Sequence, residues 1–300
     1  MHSTALRYFL EVARTGSIAD ASKRLNVAAS AISRQIAKLE RELGAELFER
    51  RPRGMVPSAA GEILASHARR SMLDGERAAA EIRALQGPHR GHVRLASFEG
   101  FGLDVLTPVV AAFRREHPGV TFHLWIGTSI EIAERVRDGE TDLGISFNLA
   151  PPRGTAVERM IRRPMHALMP AQHPLAGRKS LTLADTRPYP VALPDPDRTQ
   201  RQLIDAACNL QGLVLEPVLS TNSMAALRRF SDIEGCIHFT SAIRDPGRVE
   251  LDGFVAVPVA DESMTDSTLH ILTMAGRTLP AAVRAFLDAL LAELAPVERP

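Results

Sequence analysis

Polar and basic side chains that could contact a nucleic acid are concentrated on one face of a segment near the start of the chain. The opposite face of this segment carries an apolar stripe at helical spacing, Ile32, Ile36, Leu39 and Leu43. The outer residues are Ser30, Ser33, Arg34 and Lys38. Small residues at positions 28–31 would let the backbone approach a groove wall. The pattern suits a helix that reads DNA, although an ordinary amphipathic surface helix gives the same spacing.

An arginine cluster follows this segment. Arg50, Arg51 and Arg53 stand beside Gly54, which predicts the tip of a two-stranded wing. Arginines beside a recognition helix can reach phosphates or a narrow minor groove. A solvated basic loop is the alternative.

The preceding elements would hold the recognition helix in place. A first helix over 4–15 would bury Leu6, Phe9, Leu10 and Ala13, and Gly16 would end it. Ser17 would cap a second, short helix, so the recognition helix, starting at about Ala29, would be the second helix of a helix-turn-helix. Leu47 and Phe48 would close the small core.

A long helix is predicted over residues 58–87, with Ser58 as its cap. Its seam alternates steps of four and three: Leu64, Ala68, Ser71, Gly75, Ala78, Ile82 and Leu85. This spacing is typical of a coiled coil, and we favour a dimerisation helix over one packed on its own domain. The segment 88–91 is interpreted as a hinge.

From His92 the pattern changes to alternating strands and helices, which predicts an α/β domain with a mainly parallel sheet and two subdomains. Predicted strands include 93–96, 121–126, 143–147, 165–169, 191–193, 214–219, 237–240, 255–258 and 269–274. Predicted helices are 103–117, 130–138, 198–210, 223–231 and 280–294.

A second set of chemically capable residues lies where two of these strands end. Ser97 and Phe98 precede one helix, and Thr128 and Ser129 precede another. Hydroxyls and free backbone N–H groups at helix starts suit an anion such as a carboxylate. Simple N-capping is the plainer interpretation of the hydroxyls, and it does not exclude a ligand. Glu99 would repel an acidic ligand unless it is turned away or paired with a cation, for which Arg153, Arg162 and Arg163 are candidates.

Composition narrows the class of protein. The net charge of +1 is uneven, because residues 1–90 hold 15 Lys/Arg against 10 Asp/Glu, and residues 91–300 hold 21 against 25. A basic module on an acidic body favours nucleic-acid binding. Two cysteines cannot build a disulfide framework. The absence of a signal peptide and of a long apolar run predicts a cytoplasmic protein without a membrane contact.

Catalysis and metal binding are not expected. Cys236 and His238 would share one face of a strand, but no third catalytic group accompanies them. His89 and His92 lack partners at metal-ligand spacing. We therefore expect neither an enzyme nor a cofactor or metal.

Several motifs resemble the LysR-type transcriptional regulators. They are Ser17–Leu25, Ala31–Ile36, Leu39-Glu40, Leu43-Gly44, Leu47–Arg50 and Ser58–Gly61, followed by Pro108–Leu124, Gly139–Ile145 and His173–Ala176. The resemblance covers essentially the whole chain. Where the family often has Ser or Thr, this chain has Ala28, and where the family often has Gln, it has Ala29. Both are positions that typically contact DNA in the family, so the details of base reading do not follow from the resemblance.

The resemblance implies a winged helix-turn-helix over 1–57, an all-α module apart from its wing, and a linker and dimerisation helix over 58–87. A hinge over 88–91 and an effector-binding domain over 92–300 follow, with a two-lobed α/β fold like periplasmic binding proteins. Lobe 1 would comprise about 92–162 and 268–300, and lobe 2 about 163–267, with crossings near 148–163 and 261–268.

The resemblance also implies the sites and the partners. The effector cleft would include Ser97, Phe98, Thr128, Ser129, Phe147, Asn148, Pro194 and Thr221. The partners would be double-stranded promoter DNA, a small-molecule effector, and further copies of the chain as a homodimer or homotetramer, with RNA polymerase as another partner. The hydroxyl-bearing loops at Ser97 and Thr128-Ser129 predict that the effector is an organic acid; because of Glu99, a neutral or amine-bearing ligand is the alternative. The alternatives are a periplasmic-type solute-binding protein and a metabolic enzyme with an incidental helix-turn-helix.

Overall fold

A computed structural model describes residues 4–51, 54–84, 91–147, 152–241, 253–265 and 268–294. The chain divides into two compact units. One is built from Met1–Gly87 with Gly276–Pro280, and the other from Pro88–Ala275 with Ala281–Pro300.

Three short helices form the core of the N-terminal unit: α1 (Thr4–Thr15), α2 (Ile18–Leu25) and α3 (Ala29–Leu43). The Ser17 side chain accepts a hydrogen bond from the Asp20 N–H at the start of α2. Phe9, Val12, Ile32 and Ile36 are buried together. The prediction that the whole apolar stripe faces the core is wrong for Leu43, which is 53% exposed because α3 ends there, before Gly44.

Two strands form the wing, β1 (Phe48–Arg51) and β2 (Gly54–Pro57), which pair antiparallel. The Met55 N–H donates to the Gly16 carbonyl over 2.8 Å. Gly54 has φ +122°, and a Cβ there would lie 2.6 Å from the Gly16 oxygen, so this position requires glycine. The wing is thereby joined to the turn between α1 and α2.

A 26-residue helix, α4 (Ala59–Ala84), continues from the wing. Ser58 caps it by accepting from the Gly61 N–H at 3.1 Å. Its first turns belong to the same core, since Ala65 is buried there and Leu64 packs against it. Two members of the predicted seam, Leu64 and Ala68, are therefore covered within the chain, whereas Ile82 is exposed. Leu85 and residues 88–90 of the predicted hinge at 88–91 lie outside the described residues, and Gly91 is the first residue of a strand rather than part of a hinge.

The C-terminal unit contains two lobes, which we define by their sheets. The first lobe has a five-stranded sheet in the order β4-β3-β5-β12-β6. Its strands are β3 (Gly91–Ser97), β4 (Val120–Ile126), β5 (Leu143–Phe147), β6 (Thr155–Arg162) and β12 (Thr268–Met274), and its helices are α5 (Glu99–Phe101), a π-helical turn (Gly102–Leu106), α6 (Thr107–Glu116), α7 (Ser129–Arg137) and α12 (Ala281–Leu294).

The second lobe has two smaller sheets, β10-β7-β11 and β8-β9. Its strands are β7 (His166–Pro170), β8 (Ala192–Pro194), β9 (Leu219–Thr221), β10 (His238–Thr240) and β11 (Phe254–Pro258), and its helices are α8 (Leu183–Thr186), α9 (Thr199–Leu210), α10 (Met224–Glu234) and α11 (Glu262–Thr265). Met169, Leu193, Ile204 and Phe239 belong to its core.

Four predictions about this unit are wrong. The sheets are mixed rather than mainly parallel, because β12 pairs antiparallel with β5 and β6, and β7 pairs antiparallel with β10 and β11. Most of the predicted crossing at 148–163 is the edge strand β6. The predicted strand at 214–219 forms only from Leu219, and the single helix predicted at 103–117 is interrupted by the π-helical turn.

Candidate functional sites

The polar face of α3 is open in the N-terminal unit. Ser30, Ser33, Arg34 and Lys38 are all exposed. Within the described part of the chain Arg34 has no ion-pair partner, whereas Lys38 lies 3.7 Å from Glu42 on the next turn. Ala28, at the N-cap of α3, offers no side-chain cap, so the first N–H groups of the helix remain available to a phosphate.

The wing arginines are described only in part. Arg51 at the end of β1 is 60% exposed and pairs with Glu49 at 2.9 Å. Arg50 lies in the same strand, and Arg53 is outside the described residues. An exposed ion pair of this kind contributes little to stability, so Arg51 can exchange its partner for a phosphate at small cost.

A cleft that is open to solvent at its mouth lies between the two lobes of the C-terminal unit, and the space within it together with the adjoining solvent is about 570 Å³. Six of the eight effector residues predicted from the sequence line it: Phe98, Thr128, Ser129, Phe147, Pro194 and Thr221. Of the other two, Ser97 is fully buried at the end of β3 and is not in contact with the cleft. Asn148 falls outside the described residues.

Thr128 has a capping role at the start of α7. The Thr128 N–H donates to the Glu131 carboxylate at 2.8 Å, and the Glu131 N–H donates back to the Thr128 hydroxyl oxygen at 3.3 Å, which completes a capping box. The Thr128 hydroxyl also donates to the Glu131 carboxylate at 2.8 Å. The hydrogen bond from the Thr128 N–H, followed by that from its hydroxyl, lowers the pKa of Glu131. Ser129 reaches the facing lobe, because the Thr199 hydroxyl donates to the Ser129 hydroxyl at 2.8 Å.

Several lining residues were missed by sequence reasoning. They come from the starts of α9 and α10: Arg198, Thr199, Gln200, Ser223, Met224 and Leu227. A helix start after a strand was the signal that found Thr128, and the same signal was present before α9. Arg198 is the N-cap residue of α9 and supplies no side-chain cap. Its side chain is 25% exposed, and its Nε lies 3.7 Å from the exposed carboxylate of Asp197 without a hydrogen-bond partner among the described atoms.

Glu99 and Arg198 are the charged residues among the described lining of the cleft. Glu99 is not paired with an arginine as the sequence suggested. Its carboxylate instead accepts hydrogen bonds from the facing lobe: from the Met224 N–H at 2.7 Å, the Ala225 N–H at 3.2 Å and the Ser223 hydroxyl at 3.2 Å. Glu99 thus occupies the N-terminus of α10, where the helix dipole favours a negative charge.

The predicted alternatives for Glu99 lie elsewhere. Arg162 donates to the Thr265 carbonyl at 2.9 Å. Burial lowers the pKa of Arg163. Neither of these arginines, nor Arg153, lines the described cleft.

A second charged contact joins the same two segments. Arg228 of α10 binds Asp104 of the π-helical turn through two hydrogen bonds, of 2.6 and 3.2 Å. Both side chains are largely buried, at 17% and 13% exposed. Bidentate geometry and burial make this pair stronger than a surface ion pair.

Cys236 and His238 do not form a reactive pair. Burial raises the pKa of the Cys236 thiol, which donates to the Ser231 hydroxyl at 3.4 Å. His238 is fully buried against Phe254. Among the described residues, no cluster of three or more His, Cys, Asp or Glu has the arrangement of a metal site.

Comparison with known proteins accounts for both halves of the chain. Residues 3–62 match the bacterial regulatory helix-turn-helix of the lysR family, and residues 86–295 match the LysR substrate binding domain. The chain belongs to the LysR family. The fold prediction is therefore confirmed: an N-terminal helix-turn-helix is followed by a LysR substrate-binding domain. The match to the helix-turn-helix leaves the solute-binding alternative without support.

Individual relatives are of moderate similarity. The transcriptional dual regulator GltC of Bacillus subtilis (strain 168) is 33% identical over 74% of this chain and 73% of that protein. The uncharacterized HTH-type transcriptional regulator YybE of the same strain is 30% identical, and the alignment spans 59% of this chain but only 61% of that protein. Full-length CbnR complexed with target DNA has a TM-score of 0.55, 21% identity and coverage of 98% of this chain and 100% of that chain.

Among the residues that the structure describes, no helix has the length and apolar content needed to cross a membrane. Both curated relatives are named as transcriptional regulators, and the two family matches make this chain a LysR-type regulator.

Proposed function

We propose that this LysR-type regulator binds promoter DNA through α3 and the wing, and that a small molecule in the interlobe cleft modulates this binding. The exposed polar face of α3, with Arg34 uncommitted to any ion pair in the described structure, carries the proposal. A guanidinium near the start of a recognition helix is well placed to contact a guanine edge. The site of action would be the cytoplasm, where the promoter is.

The test is fluorescence anisotropy with DNA from the promoter region beside the gene. Wild-type protein should bind this DNA more tightly than an unrelated duplex at physiological salt. Arg34→Ala should weaken the binding. Arg229→Ala is its matched control, because it removes the same charge from a 72% exposed arginine of α10, far from α3 in the sequence. Equal affinity for promoter and unrelated DNA would contradict the proposal.

For the effector, we propose a small organic acid whose carboxylate binds at the start of α9. Arg198 supplies a positive charge there, and no side chain caps the first N–H groups of the helix. The apolar portion of the effector would contact Phe98 and Phe147, whose rings lie 5.1 Å apart. The start of α10 is unsuitable for this carboxylate because Glu99 already occupies it.

A thermal-shift screen of organic acids tests this assignment. For an acid that stabilises the wild type, Arg198→Gln should need at least a tenfold higher concentration to reach the same shift in melting temperature. Arg229→Gln should need the same concentration as the wild type. A hit that stabilises all three proteins at the same concentration binds elsewhere. The hit should also change operator affinity, since a ligand shifts an equilibrium only by its differential affinity for the two states.

The domain boundaries remain proposals, with DNA binding in 1–57, the linker helix in 58–87, a hinge at 88–91 and effector binding in 92–300. We also propose a homodimer or homotetramer that pairs through α4. Since the two lower seam residues are covered within the chain, the free part of the seam runs from Ser71 to Ile82. The function we propose is regulatory rather than catalytic.

A further inference from the structure

The start of α10 is a carboxylate site that the chain fills by itself. This helix has 11 residues, and its N-cap residue, Ser223, accepts from the Ala226 N–H at 3.3 Å. The two N–H groups that remain in the first turn both donate to Glu99, which also accepts from the Ser223 hydroxyl. All the donors of this turn are therefore used, and two of them are used by a residue of the other lobe.

The contact bridges the lobes over a long stretch of chain. Glu99 lies at the start of α5 in the first lobe, 125 residues before Met224. Asp104, five residues after Glu99, binds Arg228 of the same helix. Two acidic side chains of the segment 99–104 thus hold α10 by its positive end and by its one buried arginine.

We propose that Glu99 is an internal ligand of the effector cleft, which keeps the two lobes together through the same chemistry that a bound carboxylate would use. Because Glu99 lines the cleft in which we place the effector, its role depends on that proposed function. Its carboxylate is covalently attached and held close to α10, so its effective concentration exceeds that of a free metabolite. A free acid must displace Glu99 to bind at α10, whereas it can bind at Arg198 without doing so.

The regulatory consequence is specific. An effector that binds at Arg198 adds its contacts to lobes that Glu99 already joins, so it needs little additional closure of the cleft. Removing the Glu99 carboxylate would leave the N–H groups of Met224 and Ala225 without an acceptor and would make lobe closure depend on an added carboxylate.

Chemical rescue tests this proposal on the full-length protein in the absence of DNA and effector. Glu99→Ala empties the carboxylate site, and Glu99→Gln retains a hydrogen-bond acceptor of similar size without the charge. Asp104→Asn is the matched control, because it weakens the other contact to α10 and leaves the first turn capped. The melting temperature of each protein is measured at increasing concentrations of sodium acetate and, separately, of sodium chloride at the same ionic strength.

Glu99→Ala should melt about 5 °C below the wild type, from the loss of charge-assisted hydrogen bonds in a unit of this size. Acetate, but not chloride, should restore the melting temperature in a saturable way. In the wild type and in Asp104→Asn the stabilisation by acetate relative to chloride should be smaller than in Glu99→Ala, because Glu99 occupies the start of α10 there and only the site at Arg198 remains for acetate. Hydrogen exchange of the amides at 224 and 225 should rise several-fold in Glu99→Ala and fall again with acetate.

An acetate response of equal size in the wild type and Glu99→Ala would overturn the proposal, as would unchanged exchange at 224 and 225 in Glu99→Ala. If Glu99→Ala does not fold, Glu99→Ser, which also leaves the N–H groups of Met224 and Ala225 without the carboxylate, is measured in its place. The melting and exchange measurements involve neither operator DNA nor the effector. If they contradict the role of Glu99, the proposed DNA binding is unaffected, and if the protein does not bind the promoter, the result for Glu99 is unaffected.

Discussion

The buried imidazole of His238 should make the stability of the C-terminal unit depend on pH. This side chain is fully buried in β10, its ring lies 5.4 Å from that of Phe254, and neither of its nitrogens has a hydrogen-bond partner among the described residues. Burial, followed by the nearby charge of Arg228, lowers the pKa of His238 to about 3. In the unfolded chain the pKa of a histidine is about 6.5.

The sign of the effect follows from where the proton binds. Below about pH 6.5 the unfolded chain takes up a proton that folded His238 does not, so stability falls as the pH decreases towards 3. From pH 7 to pH 5 the pKa difference corresponds to a loss of about 2 kcal/mol from this residue alone. Burial also lowers the pKa of His166, His173 and His270, which adds to the decline in the same direction.

Comparison with His238→Leu isolates the contribution of His238. At pH 7 we expect the variant to be about as stable as the wild type or slightly more stable, because two buried nitrogens without partners are removed. At pH 5 the variant should exceed the wild type by about 2 kcal/mol more than at pH 7. His123→Gln, which removes an exposed histidine, serves as the control.

Urea unfolding at pH 7, 6 and 5, followed by fluorescence of the single tryptophan, Trp125 of β4, measures these differences. The reasoning would be refuted if the free energy of unfolding fell by the same amount between pH 7 and pH 5 in the wild type and in His238→Leu. In that case the imidazole would have to accept its proton in the folded state.

Three further predictions concern DNA binding and assembly. Arg34→Ala should weaken operator binding by ~1–3 kcal/mol and relax the preference at one base pair in anisotropy titrations, and an unchanged affinity would remove Arg34 from the interface. Neutralising Arg53 should flatten the slope of log affinity against log salt by about 0.9 if the wing contacts a phosphate, and an unchanged slope would place the wing away from DNA. Ala78→Glu should place charges in the free part of the α4 seam, so light scattering should show loss of the dimer; a dimer that persists would pair through another surface.

Local features of the sequence predicted the helices of the N-terminal unit well. Gly16 and Ser17 mark a helix end and a helix start by their own backbone and side-chain preferences, which act over a few residues. Leu43 was misassigned because the helical period does not indicate where the neighbouring core ends. Its burial depends on elements that pack after the helix has formed.

Contacts between distant segments were less accessible from the sequence. The strand β6 lies at the edge of its sheet, where side chains are half exposed and the alternation of apolar residues is weak. The role of Glu99 depends on a helix 125 residues away, and no local pattern shows which helix start a carboxylate will reach. The lining residues of α9 and α10 are missed for the same reason.

The contact at Gly61 fixes how α4 is rotated about its own axis relative to the wing. A Cβ at position 61 would lie 2.1 Å from the Leu47 carbonyl oxygen, so α4 passes against the wing with no room for a side chain. One residue inserted into α4 beyond Ala68 would rotate the rest of this helix by about 100° about its axis. An insertion of seven residues would restore the phase to within about 20°. The helical period therefore restricts which changes in the length of α4 keep its two ends in the same rotational relation.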